Sequence, residues 1–290
     1  MDYLFRPKTY LKPQTLKEAL ALLSDHGKSA KIVAGGTDLL VEKPRGVECL
    51  IDVTSLPLDY VRLEGGSLSV GALTTIESIN NSEIPTGLFH VLKEASGLFG
   101  HRNLRNLATV GGNLCSSVPS ADMATPLMAL DSVARISSVR GERTVPFEEF
   151  FVFVRENVLE EDEMLVEVQV PPQPPRTGAA FAKIGRTSVD IALVNVAVRL
   201  TLGEDDTCSD VRIILGSVAP TPMRCPTAEG VLRGKGLDEV LIEEAAQAVS
   251  EEIRPISDVR SSAEYRRDAS RVLTKRCIVS ALERARGGSY

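Results

Sequence analysis

The sequence predicts an α+β protein, and three features point there. Two glycine pairs, Gly35-Gly36 and Gly111-Gly112, each follow small or β-branched residues and precede short polar ones. A proline run, Pro171-Pro172-Gln173-Pro174-Pro175, reads as a stiff linker and marks the clearest domain boundary in the chain. Before that run, strand patterns alternate with short helices. Beyond it, three strand patterns are followed by two long helical ones.

The elements follow in order. Thr15-Leu16-Lys17-Glu18 fits a capping box, with Glu18 three residues after the cap. Leu16, Ala19, Leu20 and Leu23 then form a helical apolar stripe that Gly27 ends. Residues 31–34 and 49–53 read as strands, so the chain opens as a small β-α-β-type unit with its glycine turn after a strand. That turn does not match G-x-G-x-x-G, and the Rossmann fingerprint is absent. Residues 68–73 form a strand after the Gly65-Gly66 turn, and Thr74-Thr75-Ile76-Glu77 starts a short helix with Thr74 as its cap. Residues 88–96 form a helix carrying Phe89 and Leu92. Ser120-Ala121-Asp122-Met123 begins a helix that reaches Leu130. Asp122 in that first turn complements the helix dipole, the preferred reading, or else accepts a hydrogen bond from a ligand hydroxyl.

Residues 134–139 and 143–145, joined through Gly141, suggest a hairpin, and residues 164–170 alternate as a strand. After the prolines come strands at 179–184, 192–201 and 211–215. The longest apolar stretch, 191–198, is interrupted by Asn195 and reads as a strand. Helices at about 238–252 and 263–286 close the chain. In the last, Tyr265, Ala269, Val272, Leu273 and Arg276 fall at helical spacing, with an Arg- and Glu-rich remainder as the solvated face.

Composition narrows the function. The 290 residues carry 33 Lys and Arg against 39 Asp and Glu, a net charge of −6, and only 4% aromatics. With no basic tract and few stacking groups, the sequence argues against nucleic-acid binding. Met1 to Pro7 lacks the layout of a signal peptide, and no apolar run approaches the ~20 residues of a membrane helix. The expectation is a cytoplasmic protein without a transmembrane segment. Cys49, Cys115, Cys208, Cys225 and Cys277 stand alone with no C-x-x-C, so they read as reduced thiols filling small apolar spaces rather than as metal or cluster ligands. His26, His90 and His101 form no metal-binding pair. A non-covalent organic cofactor stays open. Successive amides in a glycine turn can converge on one anion, and two such nests could grip a diphosphate from both sides. Two tight turns with no ligand is the equal alternative.

With both glycine pairs placed, the sequence resembles the FAD-binding medium subunit of the molybdenum hydroxylases, a family that includes xanthine dehydrogenase, carbon monoxide dehydrogenase and hydroxybenzoyl-CoA reductase. The matching stretches are Lys31-Ile32-Val33-Ala34-Gly35-Gly36-Thr37-Asp38-Leu39-Leu40, then Leu104 through Leu114 around Thr109-Val110-Gly111-Gly112-Asn113, and Pro119-Ser120-Ala121-Asp122. Phe181-Ala182-Lys183-Ile184-Gly185-Arg186, Gly216-Ser217-Val218-Ala219-Pro220 and Ser257 through Arg267 match later signatures. The resemblance implies a two-subdomain FAD-binding fold of the vanillyl-alcohol-oxidase-like (PCMH) type at 1–60 and 61–175. It also implies an α+β domain at 176–290 with an antiparallel sheet and helices.

The resemblance also implies a site. Ala30, Lys31, Ile32, Val33, Ala34, Gly35, Gly36 and Thr37, with Thr109, Gly111, Gly112 and Asn113, would surround the diphosphate and ribityl chain. Asp122 would bind the adenosine side through a hydroxyl, Leu165 would give an apolar contact, Lys183 would touch the cofactor, and Phe99 would lie over the flavin ring. Asn103 stands where the family commonly has Gln, and no inserted cysteine loop suggests an extra cluster. The implied role is electron transfer: electrons arrive from [2Fe–2S] clusters on a small partner subunit and leave to NAD⁺ or another acceptor. Substrate oxidation would occur at a molybdenum-pterin cofactor on a large partner subunit. No catalytic residue and no metal ligand is expected on this chain. Two other readings are a self-sufficient flavin oxidase of the same fold and a flavin-free scaffold subunit. The absence of histidine in the last 115 or so residues weighs against a flavin tethered there.

Overall fold

A computed structural model describes residues 5–83 and 87–288, so most of the N-terminal stretch read for a signal peptide lies outside the described residues. The chain begins with β1 (Thr9–Leu11), α1 (Leu16–His26), β2 (Ala30–Val33), α2 (Leu39–Glu42) and β3 (Cys49–Asp52). The three strands pair in the order β1-β3-β2, both pairings parallel. Parallel strands need crossovers: α1 lies between β1 and β2, and α2 lies between the neighbours β2 and β3. Thr15 caps α1 by accepting from the Glu18 amide at 3.2 Å, and the Glu18 carboxylate reaches back to the amide of Gln14 rather than of the cap itself. Ala19, Leu20 and Leu23 pack on Cys49, Ile51 and Val53.

A five-stranded antiparallel sheet follows, in the order β4-β5-β10-β6-β7. It is built from β4 (Val61–Glu64), β5 (Ser67–Gly71), β6 (Val133–Ser138), β7 (Gly141–Pro146) and β10 (Met164–Val170). Five short helices run between β5 and β6: α3 (Ile76–Asn81), α4 (His90–Gly97), α5 (Arg102–Arg105), α6 (Val110–Cys115) and α7 (Ala124–Ala129). After β7 come α8 (Phe147–Phe150) and a small hairpin of β8 (Phe151–Phe153) and β9 (Glu156–Asn157). The β6–β7 hairpin forms as its sequence suggests.

One expectation is corrected here. Thr74 does not cap α3. Thr75 does, accepting from the Ser78 amide at 3.0 Å, while Thr74 is buried and its hydroxyl bonds both backbone groups of Tyr60. β10 alternates in polarity yet is buried on both faces. Met164 and Val166 join the core of the first sheet, Leu165 and Val168 join the core of the second, and a bulge between Leu165 and Glu167 adjusts the register. Its buried Glu167 is satisfied by the Tyr60 hydroxyl at 2.7 Å and the Gln169 amide at 2.6 Å.

Past the prolines lies a four-stranded sheet of β11 (Thr177–Ile184), β12 (Val194–Leu202), β13 (Cys208–Gly216) and β14 (Met223–Arg224), antiparallel throughout and in sequence order. The helices α9 (Pro226–Leu232), α10 (Glu239–Glu252) and α11 (Ala263–Ala285) pack with it. The buried face of α11 differs from the expected one. Tyr265 and Val272 are exposed, and the face turned to the sheet carries Arg266, Ala269, Leu273, Cys277 and Ala281. Close approach explains the choice. A Cβ on Gly178 would lie 2.1 Å from the Ala281 carbonyl, so the helix backbone rests almost on β11 and small residues fill the seam.

Candidate functional site

The two glycine pairs meet, and they do so differently. β2 is an edge strand with no buried residue, and it delivers Ala34-Gly35-Gly36-Thr37 into a partly exposed loop. A Cβ on Gly35 would lie 1.8 Å from the Leu107 carbonyl oxygen, so the loop lies against the backbone just before Thr109. Gly36 has φ +69°, a left-handed conformation that side chains resist. Among the described residues, no acceptor takes the amides of Gly35, Gly36, Thr37 and Asp38. That run of N–H groups is open to an acceptor from outside the chain, as a nest requires.

The second pair is not an open turn. Thr109 caps α6 by accepting from the Gly112 amide at 3.0 Å, and Gly111 and Gly112 are helical. The Gly111 amide donates to the Ala72 carbonyl at 2.8 Å and the Asn113 amide to the Thr109 carbonyl at 2.9 Å. The expected second nest is therefore replaced by a glycine-faced helix turn whose first amides already have acceptors. Gly112 is exposed, whereas Gly111 is buried against Ala72. Lys31, exposed on β2, lies close enough to α6 that its charge opposes the burial pushing the Cys115 thiol up to about 12.

Asn113 links α6 to Asp122, its side-chain oxygen accepting from the Met123 amide at 3.2 Å. α7 starts only at Ala124 and has no side-chain cap, so the preferred dipole role for Asp122 is not observed. Instead one carboxylate oxygen accepts from Lys183 Nζ at 2.5 Å and the other from Asn195 Nδ2 at 2.9 Å. The pair is enclosed, with the Lys183 and Asp122 side chains only 5% and 7% exposed. Burial pushes the Asp122 carboxyl upward, against the pull of Lys183 and Asn195. Lys183 Nζ also donates to the Leu98 carbonyl at 3.0 Å, which brings half-buried Phe99 into the same neighbourhood. Leu165 lies in the core behind the site. The next residue, Val166, accepts from the Ala72 amide at 3.0 Å, and the Ala72 carbonyl in turn receives Gly111.

The structure thus gathers the first glycine loop with Thr109–Asn113, and Asp122 with Lys183. Phe99 flanks the group and Leu165 backs it. Asn103 sits exposed on α5. Sequence reasoning missed Leu107 and Asn195 as parts of the site. The signal for Asn195 was its interruption of an apolar strand.

Comparison with known proteins shows the family. Residues 5–173 match the family described as the FAD binding domain in molybdopterin dehydrogenase, and residues 179–281 match the CO dehydrogenase flavoprotein C-terminal domain. The chain belongs to this family of FAD-binding subunits of molybdenum hydroxylases, which are oxidoreductase components. It is 34% identical over 286 residues to the xanthine dehydrogenase FAD-binding subunit of Escherichia coli O157:H7, covering 96% of this chain and 97% of that one. It is 33% identical over 284 residues to subunit alpha of the 6-hydroxypseudooxynicotine dehydrogenase complex of Paenarthrobacter nicotinovorans, covering 96% and 95%. The fold superposes with a TM-score of 0.92 and 33% identity on carbon monoxide dehydrogenase from Hydrogenophaga pseudoflava, solved in a form lacking the Mo-pyranopterin moiety, over 97% of this chain and 99% of that one. No helix among the described residues is long and apolar enough to cross a membrane.

The residues present fit FAD. Free amides at Gly35 to Asp38 suit a diphosphate, a buried carboxylate at Asp122 suits a sugar hydroxyl, and Phe99 suits an aromatic ring system.

Proposed function

We propose that this chain is the electron-transfer flavoprotein of a multi-subunit molybdenum hydroxylase. It would carry FAD between the [2Fe–2S] clusters of a small subunit, as electron source, and NAD⁺ or another acceptor. Substrate oxidation would belong to a large subunit with a molybdenum-pterin cofactor. When bound, the isoalloxazine supplies the redox chemistry by taking electrons singly and releasing them in pairs.

The residues of this chain bind and orient. The amides of Gly35, Gly36 and Thr37 hold the diphosphate, with β2 residues Ala30 to Val33 and Ala34 alongside. Thr109 fixes the α6 turn so that Gly111 packs inward and Gly112 and Asn113 form the facing wall. Asp122 takes a hydroxyl of the adenosine ribose, and Lys183 keeps its carboxylate oriented. Phe99 and Leu165 shield the apolar side. On this reading the site is shared by the subdomains at 1–60 and 61–175, with Lys183 reaching it from the domain at 176–290, and the protein works in the cytoplasm. The single observation that carries the reading is the run of unclaimed amides pressed against Leu107. Purified protein should absorb near ~370 and ~450 nm and release free FAD on denaturation. Bleaching of the ~450 nm band by NADH would support NAD⁺ as acceptor, and a colourless protein that refuses added FAD would overturn the assignment.

A further inference from the structure

We propose that Asn195 is a positioning residue for the adenosine half of the cofactor, acting through Asp122; this rests on the FAD reading above. Asn195 is fully buried near the start of β12, among valines and alanines where an amide is out of place. Its Nδ2 donates to Asp122 at 2.9 Å, while its side-chain oxygen is buried without a partner. A half-satisfied amide is a poor way to stabilise a sheet, because an apolar residue of the same shape avoids the unpaired group.

The surrounding strands are built to admit it. In the register of the sheet, Asn195 lies between Lys183 on β11 and Gly216 on β13. A Cβ on Gly216 would sit 2.3 Å from the Asn195 oxygen, so glycine there leaves room for the amide. Lys183 and Asn195 form one cross-strand pair beside Asp122, and each donates to a different carboxylate oxygen. Their contributions differ. Lys183 ends a flexible stem and divides its donors between Asp122 and the Leu98 carbonyl. Asn195 is short and enclosed, so it fixes the plane of the carboxylate. Each oxygen then keeps a lone pair for a hydroxyl of a ribose, and the neutral amide supplies the bond without adding a second charge to the pocket.

The test uses the full chain stripped of flavin and titrated separately with FAD and with FMN, which lacks the adenosine half, following flavin fluorescence. In N195L the affinity for FAD should fall about tenfold with FMN affinity unchanged, so the ratio of the two contracts by the same factor. G216A keeps the amide but crowds its oxygen, and the same selective loss is expected, smaller in size. This second variant serves if N195L does not fold. An unchanged FAD-to-FMN ratio in the variants, or an equal loss of both flavins, would overturn the role of Asn195 while leaving the cofactor reading intact. Wild-type protein that binds neither flavin would overturn both.

Discussion

Gly35-Gly36 and Gly111-Gly112 are the same dipeptide used in two unlike ways. In the first pair, one glycine permits a close approach to Leu107 and the other takes positive φ, and together they leave a row of amides free. In the second, both residues lie in a helix turn, their amides are occupied, and one glycine packs on Ala72 while the other faces outward. The difference separates two tasks that a sequence motif runs together. On the proposed reading, the first pair would offer donors to the cofactor and the second a flat surface that lets it come near.

Substitution by alanine should rank the four positions. G35A puts a methyl group 1.8 Å from a carbonyl oxygen, where backbone must move. It should cost about 3 kcal/mol in denaturant unfolding and abolish FAD retention. G111A meets the Ala72 oxygen at 2.7 Å and its Cβ at 2.8 Å. The helical preference of alanine offsets part of that clash, leaving a loss of about 1–2 kcal/mol. G36A has no neighbour nearer than 3.6 Å but keeps φ at +69°, so about 1 kcal/mol is expected from backbone strain alone. G112A sits in a helix and meets only the Thr109 hydroxyl at 3.0 Å. Its unfolding free energy should stay within about 0.5 kcal/mol of wild type, with FAD binding measurably weakened. If FAD binding by G112A is also unchanged, the second pair is structural and the comparison drawn above fails.

The parts of the fold legible in the sequence are those whose signals are local. Thr15 three residues before Glu18 and the Gly141 hairpin carry their partners within a few residues, and the strands after the prolines show in their own apolar runs. Local rules also explain the misses. Thr74 and Thr75 are chemically equal as caps, and the choice is made by Tyr60, fourteen residues earlier in the chain than Thr74. The face of α11 is set by a glycine on β11 that draws the helix in, so small residues outrank the larger Val272. In the site, Gly35 and Thr109 were recognisable as types, but the contact with Leu107 was not. Asp122 looked like a helix-start residue because its partners, Lys183 and Asn195, lie on another sheet. Short elements such as α5 and β14 lack enough residues to show a period at all.

The double membership of β10 bears on how the chain is made. Met164 and Val166 cover Ile51 and Leu56, which leave the ribosome long before them. At ~5–20 residues per second, roughly 100 residues separate the two events, a wait of about 5–20 s. During that interval the nascent N-terminal sheet exposes an unfinished apolar surface. A chain truncated before Met164 would lack two side chains of its first core.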